Sequence, residues 1–418
     1  MKRRVFLGLA LALACAALPS AAAPPGPTPA ELLGASGDAY FTDWLNDYYV
    51  RSLAAGVSKA VMDRELSGLS PDPRVTASDA GQPEFARTVG EYVNGAVTDS
   101  SAAIGAKKGA AITQLGAIEK TYGVPREVLL AVWAMESGYG ASQGDKDIIR
   151  SLATLAALGR RRAWAEGELT AALGIISSGQ ATRAQLKGSW AGAMGQTQFI
   201  PSAYLSTAID GDGDGKRDIW GSAPDALASA ANLLVKGGWR RGERWAVEVK
   251  LAKGFDFGLS EGPKQVPAWW AEKGAKRADG KAWSAADAAA PAQLILPAGS
   301  TGPAFLIFAN HMAIRTYNNS LAYALAVGLL ADRIAGAGPL KTPWPAEVRL
   351  SLTDRMAAQE ALAKLGYNPG SADGVVGVGT RQSLRAWQKA RGLPADGYLS
   401  PDMVKKLKAE VAAKAAGT

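Results

Sequence analysis

The stretch LLAVWAMESGYG, residues 129–140, is an apolar run that delivers a single carboxylate, Glu136, and then breaks into a glycine-rich turn. Its spacing predicts a buried helix over residues 126–136. Carboxylates are almost never fully buried without a partner, so Glu136 is either a member of a structural ion pair or an acid kept protonated for chemistry. The rest of the chain decides between these two roles.

The N-terminal residues predict an export signal that is removed from the mature chain. Residues 2–4 are basic, residues 5–18 are apolar but short for a membrane helix, and residues 20–22 form a small-x-small cleavage site. We expect cleavage after Ala22, by the secretory or the twin-arginine route. Cys15 has flanking residues that fit lipid attachment poorly. Because it is the only cysteine, we expect the mature chain to lack disulfide and thiol chemistry.

Composition limits the partners of the mature chain. Of the 418 residues, 48% are hydrophobic and 20% are charged, which fits a globular protein of two or three domains. The net charge of +8 falls to +5 once the three basic residues of the signal are removed; this excess suits an anionic envelope polymer and forms no nucleic-acid stripe. His311 is the only histidine, which argues against a zinc peptidase, and we expect it to pack in a helix core. We expect a monomer without a transmembrane helix.

Hydrophobic spacing predicts a mainly α fold in four parts. They are the signal, residues 1–22, an α-rich domain, residues 23–335, a Pro/Gly linker, residues 336–346, and a compact three-helix bundle, residues 347–412. A small mixed α/β insertion is expected around the strand-like residues 245–249. Helical spacing marks residues 40–56, 114–122, 224–237 and 304–335 of the large domain and residues 356–365, 380–391 and 401–411 of the small one.

A second motif, residues 188–202, combines small residues with two neutral hydrogen-bonding side chains, Ser189 and Gln198. Small residues allow a polymer to lie close to the backbone. Tight packing of the chain against itself also explains the glycines, but it explains the serine and the glutamine poorly.

Residues 210–221 match the first part of an EF-hand calcium loop. The acidic residues at loop positions 1, 3, 5 and 9 are Asp210, Asp212, Asp214 and Asp218. Gly215 stands at position 6, but Gly221 stands at position 12, where a bidentate glutamate belongs. The spacing therefore predicts a structural cation, calcium or sodium, with differently completed coordination. A metal-free acidic turn is the alternative.

Aromatic rings alternate with amides at Tyr317, Asn318 and Tyr323. This pattern suits sugar faces and hydroxyls, although capping of a helix by Asn319 or Ser320 accounts for the polar residues as well.

Arg161 and Arg162 belong to the densest basic cluster of the chain. Such a run is usually a solvated face, but near a cleft it would hold peptide carboxylates.

Together these stretches resemble the B-type lytic murein transglycosylases, which cut the glycan strands of peptidoglycan. The resemblance covers about residues 41–335 and rests on Glu-Ser-Gly-x-x-Gly, Ala-Gly-Ala-Met-Gly-x-x-Gln-Phe-x-Pro-Ser and Tyr-Asn-x-Ser in the family's order. It implies a lysozyme-like α domain and no cofactor for catalysis. Gln196 and Thr197 replace the more usual Tyr-Gly. The implied roles are the catalytic acid at Glu136, glycan contacts at Ser189, Gln198, Tyr317, Asn318 and Tyr323, peptide-facing arginines at Arg161 and Arg162, and the ion loop at residues 210–218.

Residues 351–407 resemble the three-helix peptidoglycan-binding domain. The resemblance rests on residues 365–370, Asp373-Gly374, Trp387-Gln388 and residues 393–397. Turn chemistry explains most of these residues, so binding would come from the surface that they shape.

A single catalytic carboxylate favours substrate-assisted chemistry. Ordinary glycosidases use two carboxylates, but nothing in the sequence places Asp145 or Asp147 across a sugar from Glu136. The apolar neighbours Trp133 and Met135 would favour a protonated acid. We therefore expect a periplasmic enzyme that leaves 1,6-anhydro ends on peptidoglycan strands and works beside other cell-wall enzymes. A hydrolytic muramidase and a non-catalytic wall-binding scaffold are the alternatives.

Overall fold

The computed structural model describes residues 37–81 and 87–416. The predicted export signal, its cleavage site and its cysteine therefore lie outside the described residues. The described chain forms two compact units, one of residues 37–81 and 103–236 and the other of residues 87–102 and 237–416. The second unit combines the predicted insertion with the predicted C-terminal helices.

Helices dominate both units, which confirms the mainly α fold. In chain order the helices are α1 (Gly37–Ala54), α2 (Lys59–Leu66), α3 (Pro73–Ala80), α4 (Val89–Ala96), α5 (Asp99–Ala111), α6 (Leu115–Tyr122), α7 (Arg126–Ser137), α8 (Ile148–Leu158), α9 (Arg162–Ser177), α10 (Pro201–Thr207), α11 (Ala223–Lys236), α12 (Pro267–Glu272), α13 (Ala285–Ala289), α14 (Ala309–Tyr317), α15 (Leu321–Ile334), α16 (Leu352–Lys364), α17 (Val378–Lys389) and α18 (Pro401–Ala416). The strands are β1 (Lys146–Asp147), β2 (Lys187–Gly188), β3 (Ala246–Leu251), β4 (Ala275–Arg277), β5 (Gln293–Ile295) and β6 (Ala304–Ile307).

Helix α8 forms the centre of the first unit. All of its residues except Arg150 are buried. A helix that is apolar on every side needs cover on every side, and α1, α3 and α9 pack against it. Strand β1 directly precedes α8 and pairs with β2, with Lys146 opposite Gly188.

Helix α7 confirms the prediction for residues 126–136. It begins after Pro125, and residues 128–133 are all buried. It ends because Gly138 adopts a left-handed backbone with φ 58°, a conformation that glycine enters without steric cost. The first glycine of the turn therefore ends the helix one residue after Glu136.

The second unit contains the predicted mixed insertion as a four-stranded antiparallel sheet in the order β4-β3-β6-β5. Strand β3 contains most of the predicted strand at residues 245–249. Ala246 lies opposite Ile307, and Leu294 lies opposite Leu306. One face of the sheet packs on a core that includes the fully buried Trp270.

The predicted continuous helix over residues 304–335 is wrong at its start. Residues 304–307 form strand β6, and all four are buried in the middle of the sheet. A short, wholly apolar run has no periodicity that separates a buried strand from a helix. The remainder is two helices, α14 and α15, and Ser320 caps the second by accepting a hydrogen bond from the Tyr323 N–H at 3.3 Å.

The C-terminal helices α16, α17 and α18 form the predicted three-helix bundle. Their shared core includes Leu362, Leu384, Leu407 and Trp387, which is 1% exposed. In residues 37–81 and 87–416, no helix has the length and apolar character needed to cross a membrane.

Candidate active site

Glu136 stands in the last turn of α7, half-buried, between a buried apolar stretch and the turn. Its neighbour Ser137 ties this turn to the second motif. The Ser137 hydroxyl donates to the Gln196 carbonyl at 2.6 Å and accepts from the Gly140 N–H at 2.9 Å. The backbone that carries Glu136 is therefore held by two hydrogen bonds from one buried side chain.

Two non-glycine residues near Glu136 have left-handed backbones. They are Tyr139, with φ 62°, and Gln198, with φ 50°. The Tyr139 ring packs edge-on against Trp133, with ring centres 5.7 Å apart. Such conformations cost energy and persist where the surroundings hold them, often at functional sites. Each of the two motifs, residues 129–140 and residues 188–202, contains one of these left-handed residues.

The predicted glycan-contacting side chains of the first unit also shape its loops. Ser189 accepts hydrogen bonds from the Ala191 N–H at 3.3 Å and the Ala193 N–H at 3.1 Å. Gln198 donates its amide to the Gln143 carbonyl at 3.0 Å and the Gly195 carbonyl at 2.9 Å. Both side chains are half-buried. Ser189 and Gln198 therefore belong to one loop, and Gln198 connects this loop to the turn after Glu136 through the Gln143 carbonyl.

The glycines of the second motif serve contacts within the chain. A Cβ at Gly188 would meet the Ala193 carbonyl, and a Cβ at Gly195 would lie 2.7 Å from Ile219. Gly144, in the turn after Glu136, approaches the Gly188 carbonyl in the same way. The close approach is therefore between backbone segments, which supports tight packing as the reason for these small residues.

The two acidic residues that follow Glu136 both have partners. Asp147 accepts a hydrogen bond from the Arg150 N–H at 3.1 Å, which caps α8, and pairs with Arg183 at 2.9 Å. Asp145 is exposed and pairs with Lys146 at 2.7 Å. Both carboxylates thus have structural partners of their own.

The three arginines at the start of α9 make three different contacts. Arg160 donates its N–H to Asp79 at 3.0 Å. Arg161 is exposed and lies over the Trp164 ring, 4.3 Å from its centre. Arg162 donates to the Tyr40 hydroxyl at 2.7 Å. The resemblance implies that Arg161 and Arg162 face peptide carboxylates. In the structure both guanidinium groups lie beside aromatic rings.

The acidic loop brings together a different set of carboxylates from the one that the spacing suggested. Ligand atoms within 4.8 Å of one another come from Asp210, Asp212, Asp214 and Asp225. Asp218 instead accepts hydrogen bonds from the N–H groups of Trp220 at 3.0 Å and Gly221 at 2.8 Å. The EF-hand spacing does not reach Asp225, because that residue lies outside the loop, in the first turn of α11.

Asp225 fits a cation site in its chemistry. It is 1% exposed, and burial raises the pKa of its carboxyl despite hydrogen bonds from the Gly211 and Asp218 N–H groups. The charge of Asp212 raises this pKa further. Oxygen-rich groups that repel one another in this way are typical ligands of calcium, and a cation would relieve the repulsion.

Tyr317, Asn318 and Tyr323 lie in the second unit, at the junction of α14 and α15. The two tyrosine rings are nearly parallel, with centres 6.5 Å apart. Asn318 is exposed and accepts a hydrogen bond from the Ser320 N–H at 3.0 Å. Tyr323 is only 2% exposed, whereas Tyr317 is half-buried. Tyr317 and Asn318 are thus the more accessible of the predicted contacts.

His311 is a core residue, as predicted. It is fully buried in α14 and stacks on Trp245 with ring centres 6.2 Å apart. Burial, together with the nearby charge of Arg315, lowers the pKa of its imidazole to about 3. The ring is therefore neutral at physiological pH.

Two family models match the chain. One, described as the transglycosylase SLT domain, matches residues 40–332, and one described as a putative peptidoglycan-binding domain matches residues 351–407. Membrane-bound lytic murein transglycosylase B of Escherichia coli is 39% identical over 146 residues. That match spans 35% of this chain and 39% of that protein, well under two thirds of its length.

Solved structures include similar chains. SltB3 from Pseudomonas aeruginosa, in complex with NAG-NAM-pentapeptide, is 44% identical over 88% of this chain and 99% of its own, with a TM-score of 0.84. The Escherichia coli lytic transglycosylase Slt35, in complex with calcium, is 26% identical over 72% of this chain and 94% of its own, with a TM-score of 0.58. With a family model over residues 40–332 as well, the chain belongs to the transglycosylase SLT family and carries a C-terminal peptidoglycan-binding domain.

Proposed function

We propose that this chain is a lytic transglycosylase that cleaves the β-1,4 bond between N-acetylmuramic acid and N-acetylglucosamine in peptidoglycan and leaves 1,6-anhydro ends. The observation that carries this proposal is Glu136. The family resemblance assigns it the role of catalytic acid, and it stands half-buried at the end of a buried helix, on a backbone held by Ser137.

In the proposed reaction, protonated Glu136 donates its proton to the glycosidic oxygen as the bond to the anomeric carbon breaks. The acetamido group of the muramoyl residue stabilises the positive anomeric centre. Ionised Glu136 then takes the proton of the 6-hydroxyl, whose oxygen bonds to the anomeric carbon and closes the 1,6-anhydro ring. No water is consumed, and the carboxyl ends protonated as it began. One group serves as acid and then base efficiently when its pKa is near the working pH.

We propose that polar side chains of both motifs orient the glycan. Ser189 accepts two backbone hydrogen bonds, and no described residue accepts from its own hydroxyl, which leaves that donor for a sugar oxygen. Gln198 supports the loop and supplies a further polar group, and Tyr317, Asn318 and Tyr323 would contact sugars. The peptide stems would meet Arg161 and Arg162.

We propose a structural cation, calcium or sodium, at the acidic loop, held by Asp210, Asp212, Asp214 and Asp225. The relative Slt35 has been solved in complex with calcium. The ion would anchor the loop to α11 and takes no part in the reaction. Asp218, the predicted ligand, would support the loop through its backbone contacts.

We also propose that the mature chain acts in the periplasm after removal of residues 1–22, as a monomer beside other cell-wall enzymes. Residues 23–335 would form the catalytic domain, 336–346 the linker and 347–412 the wall-binding domain. SltB3 has been solved with a peptide-bearing glycan fragment, which supports peptidoglycan strands as the substrate.

Mass spectrometry of muropeptides released from purified peptidoglycan tests the reaction. Anhydro-muramoyl ends without added water are expected. Reducing ends that carry water would identify a hydrolytic muramidase instead, and binding without release would identify a scaffold.

Glu136→Gln is expected to abolish release while binding to sacculi persists, because the amide cannot donate and then accept the proton. Glu127→Gln is the matched control, because Glu127 lies in the first turn of the same helix. Turnover of Glu136→Gln near the wild-type rate would contradict the assignment.

A further inference from the structure

The predicted linker of the second unit is held along its length. It contacts β3, where the Glu248 carboxylate accepts the N–H groups of Lys341 at 2.8 Å and Thr342 at 2.7 Å. Trp344 then packs beside Phe305, with ring centres 6.4 Å apart, and against Gly90 of α4. A segment with these contacts is not a free tether.

The next residues join the linker to the wall-binding helices. Glu347 accepts the Gly90 N–H at 3.0 Å with one carboxylate oxygen and the Tyr398 hydroxyl at 2.6 Å with the other. Tyr398 also packs on Gly299, where a Cβ would lie 2.7 Å from the tyrosine Cβ. Only glycine fits there, because the backbone is also left-handed, with φ 71°. Asp396 adds a hydrogen bond from the Ser300 N–H at 2.9 Å.

Glu261 makes the strongest contact between the insertion and the wall-binding helices. Its carboxylate shares the single Arg381 Nε–H between its two oxygens, at 3.0 Å to each, and accepts one hydrogen bond from Arg381 Nη2 at 2.6 Å and one from Arg385 Nη2 at 2.6 Å. The carboxylate is 13% exposed, and Arg385 is 9% exposed. Paired, planar contacts of this kind fix orientation as well as distance.

Two further observations show that Glu261 is held in place by its surroundings. Its backbone is left-handed, with φ 56°, although it is not a glycine, and its N–H donates to the Leu294 carbonyl of β5 at 2.8 Å. Burial by itself would raise the pKa of its carboxyl, but the ion pairs with Arg381 and Arg385 lower it below the ordinary value. A strained backbone persists only where its surroundings hold it, and here it places one carboxylate against two guanidinium groups.

We propose, resting on the function proposed above, that Glu261 is a positioning residue: it fixes the wall-binding helices to the insertion sheet, so that they keep one position relative to Tyr317 and Asn318, the proposed sugar contacts of the same unit. A second binding surface at a fixed distance adds to binding only when the ligand is long enough to reach it. Preorganisation also removes the entropy that a mobile domain would lose on binding. Loss of Glu261 should therefore weaken binding of polymeric wall and leave the binding of short fragments unchanged.

The test compares the full mature chain with Glu261→Gln, which keeps the side-chain shape and removes the charge. Asp402→Asn is the matched control, because it removes an exposed ion pair with Lys406 in α18 of the same helical bundle. Three quantities are measured, namely amide hydrogen exchange over residues 337–350, the dissociation constant for purified sacculi, and turnover of a short soluble glycan fragment.

In Glu261→Gln we expect exchange over residues 337–350 to rise about tenfold, because undocked helices no longer hold Glu347 through Tyr398. We expect sacculus binding to weaken about tenfold. Fragment turnover should stay within about twofold of wild type, since that ligand does not span two surfaces. Tyr398→Phe, which removes one docking hydroxyl, is a milder second variant and should shift exchange and binding in the same direction.

Unchanged linker exchange in both variants would overturn the role of these contacts in docking. Faster exchange with unchanged sacculus binding would overturn the role of docking in wall binding. Failure of the proposed reaction gives a separate result, because the wild-type chain would then bind sacculi but release no anhydro-muropeptides.

Discussion

Ser137→Ala removes the side chain that holds the backbone of Glu136 in place. Ser137 is 2% exposed, donates to the Gln196 carbonyl at 2.6 Å and accepts from the Gly140 N–H at 2.9 Å. Alanine leaves both backbone groups without this partner. A buried polar group left unpaired costs about 1–3 kcal/mol, so the two groups together should lower the free energy of unfolding by about 2–6 kcal/mol.

The same change should slow the reaction more than it weakens binding. Loss of the Ser137 contacts loosens the end of α7 against the 188–199 loop, and a misplacement of about 1 Å costs as much as a hundredfold in rate. We expect kcat on peptidoglycan to fall about tenfold to a hundredfold, with KM little changed.

Urea unfolding and steady-state release of muropeptides measure the two effects. Ser206→Ala is the control, because the exposed Ser206 hydroxyl makes its hydrogen bonds within its own helix, α10, to two backbone carbonyls and the Thr207 hydroxyl. If Ser137→Ala matched Ser206→Ala in both stability and kcat, the anchoring role of Ser137 would be refuted.

Two further predictions concern carboxylates other than Glu136. Burial raises the pKa of Asp332 to about 6, against the hydrogen bond from the Trp245 indole and the charge of Arg244. A raised pKa contributes stability below the ordinary pKa of 3.8 that is lost as pH rises through about 6. Asp332→Asn keeps an acceptor for the indole and removes the charge, so the rise in pKa from 3.8 to about 6 predicts that the free energy of unfolding increases by about 3 kcal/mol at pH 8 and by about half as much at pH 5; an equal change at both pH values in thermal melts would contradict this. At calcium near 100 times its dissociation constant, the wild-type chain should gain about 2.7 kcal/mol. Asp225→Asn should lose most of this gain and Asp218→Asn should keep it, as followed by melting with calcium and with a chelator; the opposite order would restore Asp218 as the ligand.

Local patterns predicted the parts of the fold that local interactions make. Helix α7 and its stop at Gly138 follow from an apolar run and a glycine. The C-terminal bundle appears where the sequence placed it, with α17 at Val378–Lys389 against a predicted 380–391. In these segments each residue's environment is set by neighbours three or four positions away, so spacing is sufficient information.

Contacts between distant segments were not predictable in the same way. Strand β6 looked helical because Ala304–Ile307 is apolar throughout, and only its pairing with β3 and β5 shows that it is a strand. Asp225 joins the acidic cluster because α11 folds back onto the loop. No local pattern in the sequence marks Glu261 as an anchor, since its arginine partners are 120 and 124 residues away.

The sequence by itself determined the helical class, the wall-binding bundle and the identity of the carboxylate at the end of α7, because these depend on residue type and short spacing. Tertiary structure decided which polar groups hold that carboxylate's backbone, which aspartates share the acidic loop, and that the linker is docked. Each of these depends on hydrogen bonds and ion pairs between residues far apart in the chain, and their geometry exists only once the chain has folded.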